Sequence, residues 1–96
     1  MHLISQRPLR EFWAKYKDSE KPLRVWVKAV QSAASEYFED VKKAFSSADQ
    51  YEKFTIFDIG GNKYRLIVVI HYNTQKVYVR HILTHKEYDF WKWKKN

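Results

Sequence analysis

The chain contains no cysteine, which removes disulfides, thiolate metal sites and cysteine nucleophiles, and suits a reducing compartment. Only two glycines and two prolines are present, too few breakers for a linker or a low-complexity segment. The longest apolar run, Leu66-Ile67-Val68-Val69-Ile70, is far too short to span a bilayer. The opening Met1-His2-Leu3-Ile4-Ser5-Gln6-Arg7-Pro8 lacks the apolar stretch of a secretory signal. A soluble, cytoplasmic protein with no membrane partner is expected. Acidic residues are also scarce: 11 Asp and Glu against 18 Lys and Arg leave a formal net charge of +7.

What is present is a folding composition, 45% hydrophobic and 18% aromatic, which predicts one domain over residues 1–96 because two cores would each be too small. The charge is unevenly placed. From Ile59 onward Lys63, Arg65, Lys76, Arg80, Lys86, Lys92, Lys94 and Lys95 face only Glu87 and Asp89, so nearly all of the excess lies in the C-terminal part. A one-signed field on a small domain favours a polyanion, most often nucleic acid; the plain alternative is a basic surface that only confers solubility.

Apolar spacing divides the chain into an α part and a β part. His2 to Ser5 reads as a short edge strand. Pro8 to Lys17 reads as a helix with Leu9, Phe12, Trp13 and Tyr16 on one face. A second helix starts near Ser19 to Pro22 and presents Leu23, Trp26, Val27 and Val30, and one or two further turns follow between Ser35 and Gln50. The period then changes. Phe54–Ile59, Lys63–Tyr72 and Lys76–Leu83 are rich in β-branched and aromatic residues and are separated by Gly60-Gly61-Asn62 and Asn73-Thr74-Gln75, which predicts an antiparallel meander. His85 to Lys94 reads as a short helix or a basic tail. The fold class is α+β: a small antiparallel sheet with two N-terminal helices packed on one face.

Strict alternation puts Arg65 with Ile67, Val69 and His71, and puts Val77, Val79, His81 and Leu83 opposite Tyr78, Arg80 and Ile82. A hairpin would gather Arg65, Arg80, His85, Lys86 and Tyr88 into one cleft suited to phosphodiester chemistry. Cleaving RNA through its own 2′-hydroxyl needs a base, a cation for the phosphorane and an acid for the leaving oxygen. Arginine supplies the cation without a metal, so no cofactor is expected. The four histidines have no metal-ligand helix spacing and no acidic cluster beside them, and no metal site is expected. Each residue also has an ordinary reading: Arg65 and Arg80 as ion-pair partners of Asp58 and Glu87, His81 as a buried core histidine, Tyr88 as a packing aromatic, Trp91 and Trp93 as anchors or stacking platforms.

The segments Phe57-Asp58-Ile59-Gly60-Gly61-Asn62-Lys63-Tyr64-Arg65-Leu66-Ile67 and Tyr78-Val79-Arg80-His81-Ile82-Leu83-Thr84-His85-Lys86-Glu87-Tyr88-Asp89 resemble the paired signatures of HigB-type toxins of the RelE superfamily. Met1 to Ser5 and Arg10-Glu11-Phe12-Trp13 resemble the same family, so the likeness covers essentially the whole chain. It implies a RelE-like fold and metal-independent cleavage of mRNA, in most members on the ribosome. It also implies neutralisation by a HigA-like helix-turn-helix antitoxin, with operator DNA bound only through the toxin–antitoxin complex. Carried over by position, the Tyr-Arg-Leu arginine falls on Arg65 as the phosphate-binding group. Arg80 is a candidate for phosphate binding, His85 for proton transfer, and Tyr88 for stacking or proton transfer. Lys63, Lys86, Tyr78, Lys92 and Trp93 are candidate RNA contacts. Two readings from other classes stay open: a non-catalytic basic module that binds RNA or the ribosome, and a pure interaction protein whose basic face holds an acidic partner.

Overall fold

The computed structural model describes residues 1–90. In chain order it places β1 (His2–Leu3), α1 (Arg7–Lys15), a 3₁₀ turn (Lys17–Ser19), α2 (Glu20–Ser32), α3 (Phe38–Ala44), β2 (Asp49–Tyr51), β3 (Phe54–Ile59), β4 (Tyr64–His71), β5 (Lys76–Thr84) and α4 (His85–Asp89). The strands form one sheet in the order β1-β5-β4-β3-β2. β2 through β5 are antiparallel to their neighbours, and β1 adds parallel to β5, His2 beside Lys76 and Leu3 beside Val77. Among the described residues no helix is long and apolar enough to cross a membrane.

The helices begin where their side chains allow. Pro8 sits in the first turn of α1, where a missing N–H costs nothing. In α2 the buried positions Leu23, Trp26, Val27 and Val30 recur at helical spacing and meet the sheet. Tyr64, Leu66, Val68 and Ile70 of β4 form the floor of this core with Phe57, Ile59 and Val77. The other sheet face carries a smaller cluster of Phe54, Ile56 and Ile67, flanked by Tyr51, Val69, Leu83 and Tyr88. β4 is therefore packed on both faces, as its two apolar alternations require.

Two turns set the site. Gly60 and Gly61 both hold positive φ, 64° and 71°, a region where a side chain is strained, and the reversal leaves Asn62 beside the start of β4. At the other end Gln75, also at positive φ (56°), closes the β4–β5 turn by donating from Nε2 to the carbonyls of Tyr72 and Ser35 at 2.8 and 2.7 Å.

One expectation from strict alternation is overturned. Ile67 faces His81 while Val68 faces Val79, so β5 spends one more residue than β4 at this point, and the surplus residue is Arg80. This β-bulge shifts the phase of everything after it. Ile82 joins Val79 and Val77 against the helices, whereas His81 and Leu83 turn to the face of Arg65 and Ile67. His81 and Leu83 therefore do not share a face with Val77 and Val79. β1 is the edge strand expected over His2 to Ser5, two residues long and parallel to β5, and the sheet also gains β2 beyond the expected meander.

Candidate nucleic-acid cleavage site

The centre of the candidate site lies where β4 begins and β5 ends. Arg65 is paired across the sheet with Asp58 on β3 and Leu83 on β5. Its Nε lies 3.2 Å from Asp58 Oδ1, and Nη2 donates to Asn62 Oδ1 at 2.6 Å. Among the described residues Nη1 makes only longer contacts, 3.4 and 3.3 Å, to the carbonyls of Asn62 and Tyr64. The guanidinium carbon lies 5.4 Å from the ring centroid of Tyr88, and the side chain is only 11% exposed. Arg65 is thus a charge held rigidly at the floor of the face, with Tyr88 over it. The ion-pair reading with Asp58 is correct, and it is compatible with a second anion because a guanidinium offers five donors. A phosphate oxygen is a stronger acceptor for Nη1 than the two distant carbonyls it now meets.

α4 supplies the remaining groups. Thr84 caps it through a reciprocal box: Glu87 N–H donates to Thr84 Oγ1 and Thr84 N–H donates to Glu87 Oε1, at 3.2 and 2.9 Å. His85 N–H donates to the Lys63 carbonyl at 3.0 Å, tying this turn to the start of β4. Glu87 is consequently a capping residue and not the partner of Arg80. His85 Nδ1 lies 3.1 Å from Asp89 Oδ2, one helical turn on. The carboxylate is placed to accept from Nδ1 and so to fix the orientation of the ring. Asp89 had no assigned role in the sequence reading, yet the i,i+4 spacing from His85 is the signal that finds it. The Tyr88 phenol is pushed up from its ordinary value, chiefly by burial and against the pull of Arg65. It keeps its proton at neutral pH and can donate, not accept, one.

The other candidates separate. Lys63 reaches away from the face and pairs with Asp18 at 3.0 Å, and Tyr64 OH donates to the same carboxylate at 2.6 Å. Tyr64 and then Lys63 hold Asp18 below the usual carboxylate range, and Asp18 pushes Tyr64 up to about 12. Lys86 is exposed on α4. Arg80 and Tyr78 lie on the same face as Arg65 but further along it, in a shallow hollow of about 310 Å³ shared with Lys53, Val69 and His71. Lys92 and Trp93, with Trp91, lie outside the described residues. The structure therefore brings Arg65, Tyr88 and α4 together, and it does not bring Arg80 or Lys63 into that group. A larger groove, about 450 Å³, runs between the helices on the other layer past Trp13, Lys21, Arg24, Val25 and Lys28, where Arg24 is engaged by Glu20 at 2.7 Å.

His81 faces Ile67 on the candidate side, and its Nε2 is buried with no hydrogen-bond partner among the described residues. Burial first, and Arg80 second, hold its pKa below 6.5. The neutral form belongs to the fold, and the unfolded chain binds the proton more readily. Stability is therefore complete above about 6.5 and falls as pH drops through the lower folded value. Thermal melts between pH 7 and pH 5 are expected to lose midpoint in the wild type and to lose less in His81→Leu; parallel slopes would contradict this assignment.

The model of the HigB toxin family, described as the RelE-like toxic component of a toxin–antitoxin system, matches residues 19–91. The chain is similar to the mRNA interferase toxin HigB of Escherichia coli (strain K12), 36% identical over 96 residues, covering 94% of this chain and 89% of that protein. The mRNA interferase HigB of Shigella flexneri shows the same identity and coverage. A further mRNA interferase HigB, from Escherichia coli O6:H1, is 30% identical over 92 residues, covering 93% of this chain and 89% of its own length.

Proposed function

The chain belongs to the HigB family of RelE-like toxins, and from that premise we propose that it is a metal-independent endoribonuclease that cleaves mRNA on the ribosome and is neutralised by a helix-turn-helix antitoxin. The observation that carries the reading is the contact of a fixed arginine with a protonated tyrosine, the guanidinium carbon 5.4 Å from the ring centroid, with His85 on the same short helix as that tyrosine. The nucleophile is the RNA's own 2′-oxygen. His85 Nε2 takes its proton as the O2′–P bond forms, and Arg65 balances the charge that accumulates on the non-bridging oxygens. The P–O5′ bond breaks with proton delivery from the Tyr88 phenol, leaving a 2′,3′-cyclic phosphate and a free 5′-hydroxyl. Lys86 adds positive potential at the rim.

Expressing the chain without its antitoxin is expected to arrest growth and to create new transcript ends bearing 5′-hydroxyls within reading frames. Co-expression of a HigA-like helix-turn-helix antitoxin is expected to restore growth and to co-purify with the chain. Arrest with intact transcripts would instead favour a non-catalytic RNA- or ribosome-binding module, and sink the nuclease reading.

A further inference from the structure

We propose that the hollow bounded by Lys53, Val69, His71, Tyr78 and Arg80 is a subsite for a second nucleotide of single-stranded RNA, its base lying on Tyr78 and its phosphate held by Arg80 and Lys53. The inference rests on the nuclease reading but concerns a place on the face that the cleavage chemistry does not use. Val69 lies four residues beyond Arg65 on β4, about 13 Å at 3.3 Å per residue. Arg80 itself sits at the bulge opposite Ile67 and Val68, nearer to Arg65 in register, but it lines the hollow with Val69 and Tyr78 and not the Arg65–Tyr88 contact. A single strand covers the distance from Arg65 to Val69 in roughly two to four nucleotides, depending on whether it is extended or stacked at about 3.4 Å per step.

The local structure is built for this chemistry. Arg80 is the surplus residue of the bulge and shares the face of Tyr78, the phase of β5 changing only beyond it. Tyr78 is half-buried and its ring is fixed against His71, with centroids 5.0 Å apart. A tyrosine so placed is a platform that a base can cover at little entropic cost. Lys53 and Arg80 supply two positive charges, and none of the described residues lining the hollow is acidic. The volume of about 310 Å³ is at the small end of ligand sites, the size of one nucleotide and not of a folded RNA element. Continuity with Arg65 along one sheet face gives the strand a path. The helix groove on the other layer lacks that continuity.

The test uses the full chain and a fluorescent hexanucleotide of randomised sequence, uncleavable because every 2′-hydroxyl is methylated, with binding read by anisotropy across a salt series. Tyr78→Ala is expected to weaken binding about tenfold, within the range for loss of one stacked base, and Tyr78→Phe to restore it. Arg80→Gln is expected to shallow the logarithmic salt dependence by about 0.7, the loss of one phosphate contact on a single strand. Wild-type affinity and slope in both Tyr78→Ala and Arg80→Gln, alongside weaker binding by Arg65→Ala, would overturn the subsite and leave the nuclease reading standing. Absence of binding by the wild type itself would overturn the subsite, while the nuclease reading stands or falls on transcript cleavage in cells.

Discussion

Arg65→Ala is expected to abolish both RNA cleavage and growth arrest, with cleavage falling by about 10²–10³, the usual loss when a positioned donor to a developing oxyanion is removed. Arg65→Lys is expected to recover little, because a lysine cannot hold Asp58 and Asn62 and still present a donor to phosphate, as the guanidinium fork does. Removing the cation also leaves Asp58, 31% exposed, without its partner, so thermal melts of each variant must accompany the cleavage assay. Asn62→Ala offers a subtler probe, since it frees the guanidinium without removing it: the catalytic constant should fall by less than in Arg65→Ala, with the melting point nearly unchanged. A folded Arg65→Ala protein that still cuts RNA would take the proposed chemistry away from this end of the sheet.

Phe57→Ala carries the largest expected effect on stability. Its side chain is 2% exposed and lies between Trp26 and Phe45, with ring centroids at 5.4 and 4.9 Å and tilts of 66° and 75°. Truncating a buried phenylalanine costs about 3–5 kcal/mol, and losing two edge-to-face contacts adds to the upper part of that range. A domain of this size has about 5–15 kcal/mol in total, so roughly a fifth or more of the margin goes with one side chain. At roughly 4–8 °C per kcal/mol the melting midpoint should drop by more than 12 °C. Denaturant unfolding followed by tryptophan fluorescence checks this directly. A loss below about 1 kcal/mol would mean that α2 and α3 close over the gap, and that the core is less rigidly packed than its contacts imply.

Much of this architecture is legible in the residues because it depends on local periodicity. The helix faces of α1 and α2, the two apolar alternations of β4 and the Gly60-Gly61 reversal each follow from spacing and backbone sterics. The Arg65–Asp58 pair is legible as a cross-strand neighbour once the turn is fixed. Other features depend on partners distant in sequence. Lys63 looks like a site residue until Asp18, 45 residues away, captures its ammonium. The pairing of β1 with β5 is hidden because a two-residue strand carries no pattern of its own. The capping box of Thr84 and Glu87 and the His85–Asp89 pair sit in the sequence at readable spacings, and they become meaningful only once β5 is known to end at Thr84.

The surplus residue in β5 has a bearing on how relatives are compared. Position 80 works as a phase shifter: upstream of it the odd-numbered side chains belong to the interior, and downstream the even-numbered ones do. A relative that lacks the extra residue and is aligned without a gap there would have its histidine and leucine columns assigned to the wrong side of the molecule. Tallying substitutions along this strand therefore requires counting from each end toward Arg80, and never straight through it.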